Sequence, residues 1–99
     1  MADYKYSRLA DNDLDSIATY TVINFGERQA HAYQVAIDQS ASTIANFPSM
    51  GRPYATQNGT AFLKYNVGEH ALFYQPTDTG VFIVRVLHLM MDFDRHLDT

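Results

Sequence analysis

Cysteine and tryptophan are absent from this 99-residue sequence, and basic side chains are scarce, seven Lys and Arg against eleven Asp and Glu. Without cysteine there is no disulfide framework and no thiol chemistry, which fits a reducing compartment. The net charge is −4, and the basic residues Lys5, Arg8, Arg28, Arg52, Lys64, Arg85 and Arg95 are scattered along the chain. Gripping nucleic acid by its phosphates needs clustered cations, so a function built first on that grip is disfavoured and no direct nucleic-acid partner is expected. No stretch approaches the ~20 apolar residues of a membrane span, and no charged-then-apolar signal segment opens the sequence. A soluble, cytoplasmic protein is expected, with no internal repeat, low-complexity segment or linker.

What is present is core-forming material: 46% apolar residues, with seven tyrosines and six phenylalanines. That composition excludes a disordered chain, and the length suits one domain, 1–99. The rest is organised around the run Val81-Phe82-Ile83-Val84-Arg85-Val86-Leu87-His88. Its β-branched and aromatic content predicts a central strand buried on both faces. Arg85 and His88 are its ionisable groups. Beyond it the chain turns amphipathic and charged: Leu89-Met90-Met91-Asp92-Phe93-Asp94-Arg95-His96-Leu97.

Upstream, residues 4–9 alternate and predict a strand. Asp11 or Asn12 is placed to cap a helix whose apolar stripe is Leu14, Ile17, Ala18, Thr21 and Phe25, with Asp13 and Asp15 favouring its positive end. Gly26 suits the C-terminal cap. A second helix is predicted over 27–46, with the stripe Ala30, Tyr33, Ile37, Ser40 or Ala41, Ile44 and Phe47, ended by Pro48 and Gly51. The near-absence of a connection makes the pair an antiparallel hairpin. Residues 47–53 read as a connector, with Arg52 holding it, and 54–60, which contain Asn58-Gly59, as loop. Strands follow at 61–67, 70–75 and 81–88, separated by short turns, which makes a meander. The predicted class is α+β, in the order βααβββ: an antiparallel sheet with an α-helical hairpin packed on one face.

Three constellations carry possible chemistry. Arg85, His88 and Lys64 are the set that would have to converge for ribonuclease work, which needs a base, an acid and cations around a developing phosphorane. The bland alternative is that Arg85 pairs with a nearby acid and His88 simply ends a strand, and it is favoured. His88, Asp92 and His96 recur every four residues and would share a helix face, but no fourth ligand is evident; neither metal nor cofactor is expected. The third is the tail itself, where Met, Phe and Arg are the residue types of contact surfaces. Display to a partner and burial of Met91, Phe93 and Leu97 on the core are equally open on the residues alone.

Ala10-Asp11-Asn12-Asp13-Leu14, Tyr20 with Asn24-Phe25-Gly26, Phe47-Pro48-Ser49-Met50-Gly51-Arg52-Pro53, Val67-Gly68-Glu69-His70-Ala71-Leu72-Phe73-Tyr74 and the run from Val84 to Leu97 occur in an order and spacing that resemble the ParE branch of the RelE/ParE toxin superfamily, the toxins of bacterial type II toxin–antitoxin pairs. The resemblance covers nearly the whole chain. It implies a βααβββ fold and a toxin that poisons DNA gyrase by protein–protein contact without catalysis of its own, neutralised by a cognate ParD-like antitoxin in a hetero-oligomer. It also tips the tail towards partner contact: Lys64, Arg85, His88, Met91, Asp92, Phe93 and Arg95 are expected to form or support the target-binding surface. RelE-type relatives cut mRNA on the ribosome, which is the alternative activity. Two positions depart from close ParE relatives, which tend to carry Arg where this chain has Leu63 and Met90. The lost charges point to a further alternative, a weakened or non-toxic homologue that still binds antitoxin.

Overall fold

The computed structural model describes residues 2–98. Its elements are β1 (Asp3–Tyr6), α1 (Arg8–Phe25), α2 (Glu27–Asn46), a 3-10 turn (Pro48–Met50), β2 (Arg52–Ala55), β3 (Ala61–Val67), β4 (His70–Pro76), β5 (Gly80–His88) and α3 (Phe93–Leu97). The predicted helical hairpin and the three-strand meander are all present.

Ser7 decides where the first strand ends. Its N–H donates to the Ile83 carbonyl at 2.9 Å. Its hydroxyl donates to the Val84 carbonyl at 2.6 Å and accepts the Ala10 N–H at 2.9 Å. One side chain thus caps the helix and ties it to the sheet. The helix starts at Arg8, ahead of the expected Asp11 or Asn12 cap, and the strand stops at Tyr6 short of Leu9. The alternation of Tyr4, Tyr6 and Arg8 runs on into the first helical turn, so the pattern could not mark the boundary. Gly26 joins the helices at φ +92°, a region glycine enters without strain.

The sheet order is β1-β5-β4-β3-β2. The strand around which the sequence is organised is interior, between β4 and β1. Two features extend the predicted sheet. β1 runs parallel to β5, pairing Asp3 with Gly80 through Tyr6 with Ile83, so the sheet is mixed. Residues 52–55, read as connector and loop, form edge strand β2, antiparallel to β3. Asn58-Gly59, with Gly59 at φ +88°, turns the chain between them. Pro53 is tolerated because β2 has one neighbour.

Each face of the sheet has its own core. The helical hairpin lays Ala10, Leu14, Ile37, Ala41 and Ile44 on Leu72, Tyr74, Val81, Ile83 and Val86. On the opposite face Phe62, Ala71, Phe73 and Leu87 pack with Leu97 of α3, flanked by Tyr54, Val84 and Phe93. Short α3 is thus the helix that covers the second face. Phe25, expected on the buried stripe of α1, is the last residue of the helix and is 66% exposed.

Candidate partner-binding site

Arg85 is the hub of the tail. β1 ends opposite Ile83, so the edge of β5 beyond it has no strand to pair with. The Asp13 carboxylate fills the gap. It accepts the Val86 N–H at 3.0 Å and takes Arg85 Nε and Nη2, each at 2.8 Å. Arg85 Nη1 donates to the His96 carbonyl at 3.0 Å. One half-buried guanidinium therefore joins α1, β5 and α3. Its pKa is raised, chiefly by the Asp13 hydrogen bonds, with burial acting against them. Between Phe73 and Tyr74 the β4–β5 register shifts, which leaves Val84 unpaired beside Arg85.

α3 is fastened from both ends. Asp94 accepts hydrogen bonds from the Tyr54 hydroxyl and from the Gln57 N–H, the latter at 3.0 Å. Asp94 pushes the Tyr54 phenol up to about 12. Phe93 stacks edge-on with Phe73 and Tyr54 at 4.9 and 5.7 Å, and the Lys64 ammonium lies 5.8 Å from its ring centroid.

On the other side of β5 a cleft of about 670 Å³ opens between the helical hairpin and the ends of β4 and β5. Ile17, Tyr20, Phe25, Tyr33 and Met91 supply apolar wall; Glu69, His70 and His88 line its polar end. The cleft runs out onto bare apolar surface on α1, where Tyr20 and Ile23 are 63% and 76% exposed. At the polar end Tyr33 donates to the Val67 carbonyl at 3.1 Å, accepts the Glu69 N–H at 3.3 Å and lies 2.6 Å from His70 Nδ1. Gly68, at φ +55°, leaves room for the Tyr33 ring where a Cβ would collide. The His70 ring meets His88 edge-on at 5.1 Å. Burial lowers the His70 pKa first, and His88 lowers it further.

The predicted contact residues fall into two groups. Lys64 and Phe93 sit together on the α3 face, and Asp92, just before α3, and Arg95, in its middle, are exposed. His88 and Met91 sit at the cleft. Arg85 belongs to neither surface; it is the support between them. The tail divides accordingly: Leu97 is buried and Phe93 half-buried, while Met90 and Met91 are 86% and 46% exposed.

The named set of Lys64, Arg85 and His88 does not gather at one place. Lys64 and Arg85 both pair with Phe73 from opposite sides, so a strand separates them, and the guanidinium turns to Asp13. His88, Asp92 and His96 share no helix face, because helix begins only at Phe93. Among the described residues no group of three His, Cys, Asp or Glu is placed to hold a metal ion. Of the cleft wall, Ile17, Phe25 and Tyr33 lie on the predicted helical stripes; a further signal is on α1, where Tyr20, Val22 and Ile23 lie off the stripe and make the helix apolar on two sides.

A five-stranded mixed sheet backed by a helical hairpin defines a small α+β fold of the RelE/ParE type. Comparison with known proteins agrees. Residues 4–93 match the family described as ParE toxin of type II toxin-antitoxin system, parDE. Toxin ParE1 of Caulobacter vibrioides is 35% identical over 97 residues, covering 98% of this chain and 99% of the relative. Toxin ParE1 of Mycobacterium tuberculosis is 36% identical over 95 residues, covering 95% and 96%. A solved chain of the chromosomal ParDE TA system from P. aeruginosa superposes with a TM-score of 0.70 over 89% of this chain and 96% of that one, at 17% identity, so the fold outlasts the sequence. The chain belongs to the ParE toxin family of type II toxin–antitoxin systems.

Proposed function

We propose that this protein is a cytoplasmic toxin that inhibits DNA gyrase by protein–protein contact and is neutralised by a ParD-like antitoxin. The observation that carries the antitoxin half is the cleft with its exposed apolar flank. Tyr20, Ile23 and Phe25 present bare apolar surface that an amphipathic segment would bury by laying its own apolar face along α1 and into the cleft. What supports contact over catalysis is the engagement of the cations: Arg85 is held by Asp13 and Lys64 lies over Phe93. The surface offered to gyrase is the tail, with Met91, Asp92, Phe93 and Arg95 at its front, His88 and Lys64 at its flanks and Arg85 beneath. The test is supercoiling by purified gyrase with the purified chain added. Inhibition that antitoxin relieves is expected; unimpeded supercoiling together with cut transcripts after induction would move the function to a ribosome-dependent ribonuclease.

A weakened toxin is the second reading, and one position favours it. Leu63 packs against the helix-side core and pairs with Tyr74, so its apolar character suits its place. Met90, 86% exposed, is free to carry the arginine seen in close ParE relatives and has a thioether instead. Met90→Arg is expected to increase gyrase inhibition at equal concentration; unchanged inhibition would remove that reading.

A further inference from the structure

His88 accepts a backbone hydrogen bond through a nitrogen that it can itself protonate. Its Nδ1 lies 3.0 Å from the Met90 N–H. A donor there requires the lone pair on Nδ1, so the proton of the neutral ring is on Nε2, the nitrogen that faces Glu69 Oε2 at 3.6 Å. Around this bond the turn is closed by the Leu89 N–H on the Glu69 carbonyl and the Met91 N–H on the His88 carbonyl, each at 2.9 Å. Met90 itself is 86% exposed, and the hydrogen bond shown for its amide is the one to the imidazole.

We infer that His88 is a positioning residue, whose neutral Nδ1 holds the turn that displays Met90 and Met91, and that protonation of this ring releases it. A proton added at Nδ1 sets two donors against each other, and the Met90 amide must swing away. Glu69, on the β3–β4 turn, offers a carboxylate to Nε2. His70, on β4, meets His88 edge-on at 5.1 Å, and its pKa is lowered first by burial and then by His88. Asp13 of α1 is already engaged by Arg85 of β5, and Asp92 follows the turn in sequence. Imidazole is the side chain that ordinarily changes charge between pH 5 and 8. The meaning of the latch for target contact rests on the proposed display of the methionines; the latch itself is read on the free chain.

The experiment is amide hydrogen exchange of Met90 by NMR from pH 8 to pH 5, expressed as protection relative to the intrinsic rate, with the His88 ring signals followed in the same samples. Protection is expected to fall about ten-fold, the effect of one hydrogen bond, along the His88 titration. His88→Asn places an amide oxygen near the Nδ1 position and cannot protonate there; it is expected to keep protection flat with pH. His88→Gln, which lacks an acceptor at that position, is expected to be unprotected throughout. A merely structural role would make all three profiles flat. Protection that stays constant while His88 titrates, or a His88 that does not titrate over this range, would overturn the inference whether or not the chain inhibits gyrase.

Discussion

Asp13→Ala is the substitution that tests the architecture most directly. It deletes the carboxylate that receives Arg85 Nε and Nη2 and the Val86 N–H. What remains is a guanidinium whose side chain is 12% exposed, facing an empty site, and a strand N–H without an acceptor. Breaking a buried pair from one side costs about 3–5 kcal/mol, and an orphaned buried donor about 1–3 kcal/mol. The two overlap, since water entering beside a carboxylate that was itself 15% exposed serves both, so about 3 kcal/mol is expected in total. At a urea slope of roughly 1 kcal/mol/M the unfolding midpoint falls by about 3 M. Asp13→Asn, which keeps one acceptor oxygen, is expected to lose about half as much. The double variant Asp13→Leu with Arg85→Met removes the stranded charge and is expected to cost less than the sum of the single changes. Urea unfolding followed by circular dichroism measures all three. A loss under about 1 kcal/mol for Asp13→Ala would mean that the pair behaves as a surface ion pair, and Arg85 would then not be the support of the tail.

Leu97→Ala should cost about 2–3 kcal/mol, since it removes the buried anchor of α3, and limited proteolysis should then cut first within residues 89–98; uniform cleavage would show that α3 does not depend on that anchor. The Tyr54–Asp94 bond sets a high-pH limit. With the phenol held up to about 12 in the fold and near 10 unfolded, its contribution is whole below pH 10 and is lost as pH rises to about 12. Tyr54→Phe should make that decline in urea midpoints shallower, the raised phenols of Tyr6, Tyr33 and Tyr74 carrying the rest, and an unchanged decline would remove the Tyr54 contribution. Tyr20→Glu should weaken antitoxin binding by about 100-fold in calorimetry, as expected for an aromatic anchor, while the urea midpoint barely moves, because the ring is 63% exposed; unaltered affinity would place the antitoxin away from the cleft.

The elements legible in the sequence were those whose patterns are local. The helical spacing of Ala30, Ile37, Ala41 and Ile44 matches the buried face of α2, and the run from Val81 to His88 is the interior strand it resembles. Elements that depend on distant partners were not legible. β2 is four residues with a proline, and its register comes from β3; Asn58-Gly59 was its one local mark and is equally a loop mark. The start of α1 turns on Ser7 reaching the carbonyl of Val84, 77 residues away. The cleft has the same origin, because Tyr33 is half-buried by the turn that Gly68 makes for it, and its place on the stripe of α2 could not say whether its hydroxyl would meet a histidine.

Arg85 shows how one residue can carry both a bland and a functional account. Pairing with a nearby acid was the alternative favoured over catalysis, and the acid is Asp13. Yet the pairing does more than neutralise a charge. With two nitrogens on Asp13 and the third on the His96 carbonyl, the guanidinium fixes where α3 lies relative to α1, and hence where the α3 face stands relative to the cleft. A lysine has one point of charge and could not span both sites in this way. The surface proposed for the target and the surface proposed for the antitoxin therefore share one rigid support. An antitoxin seated in the cleft would meet His88 and Met91 directly, and one that displaces α1 even slightly would also strain the seat of α3.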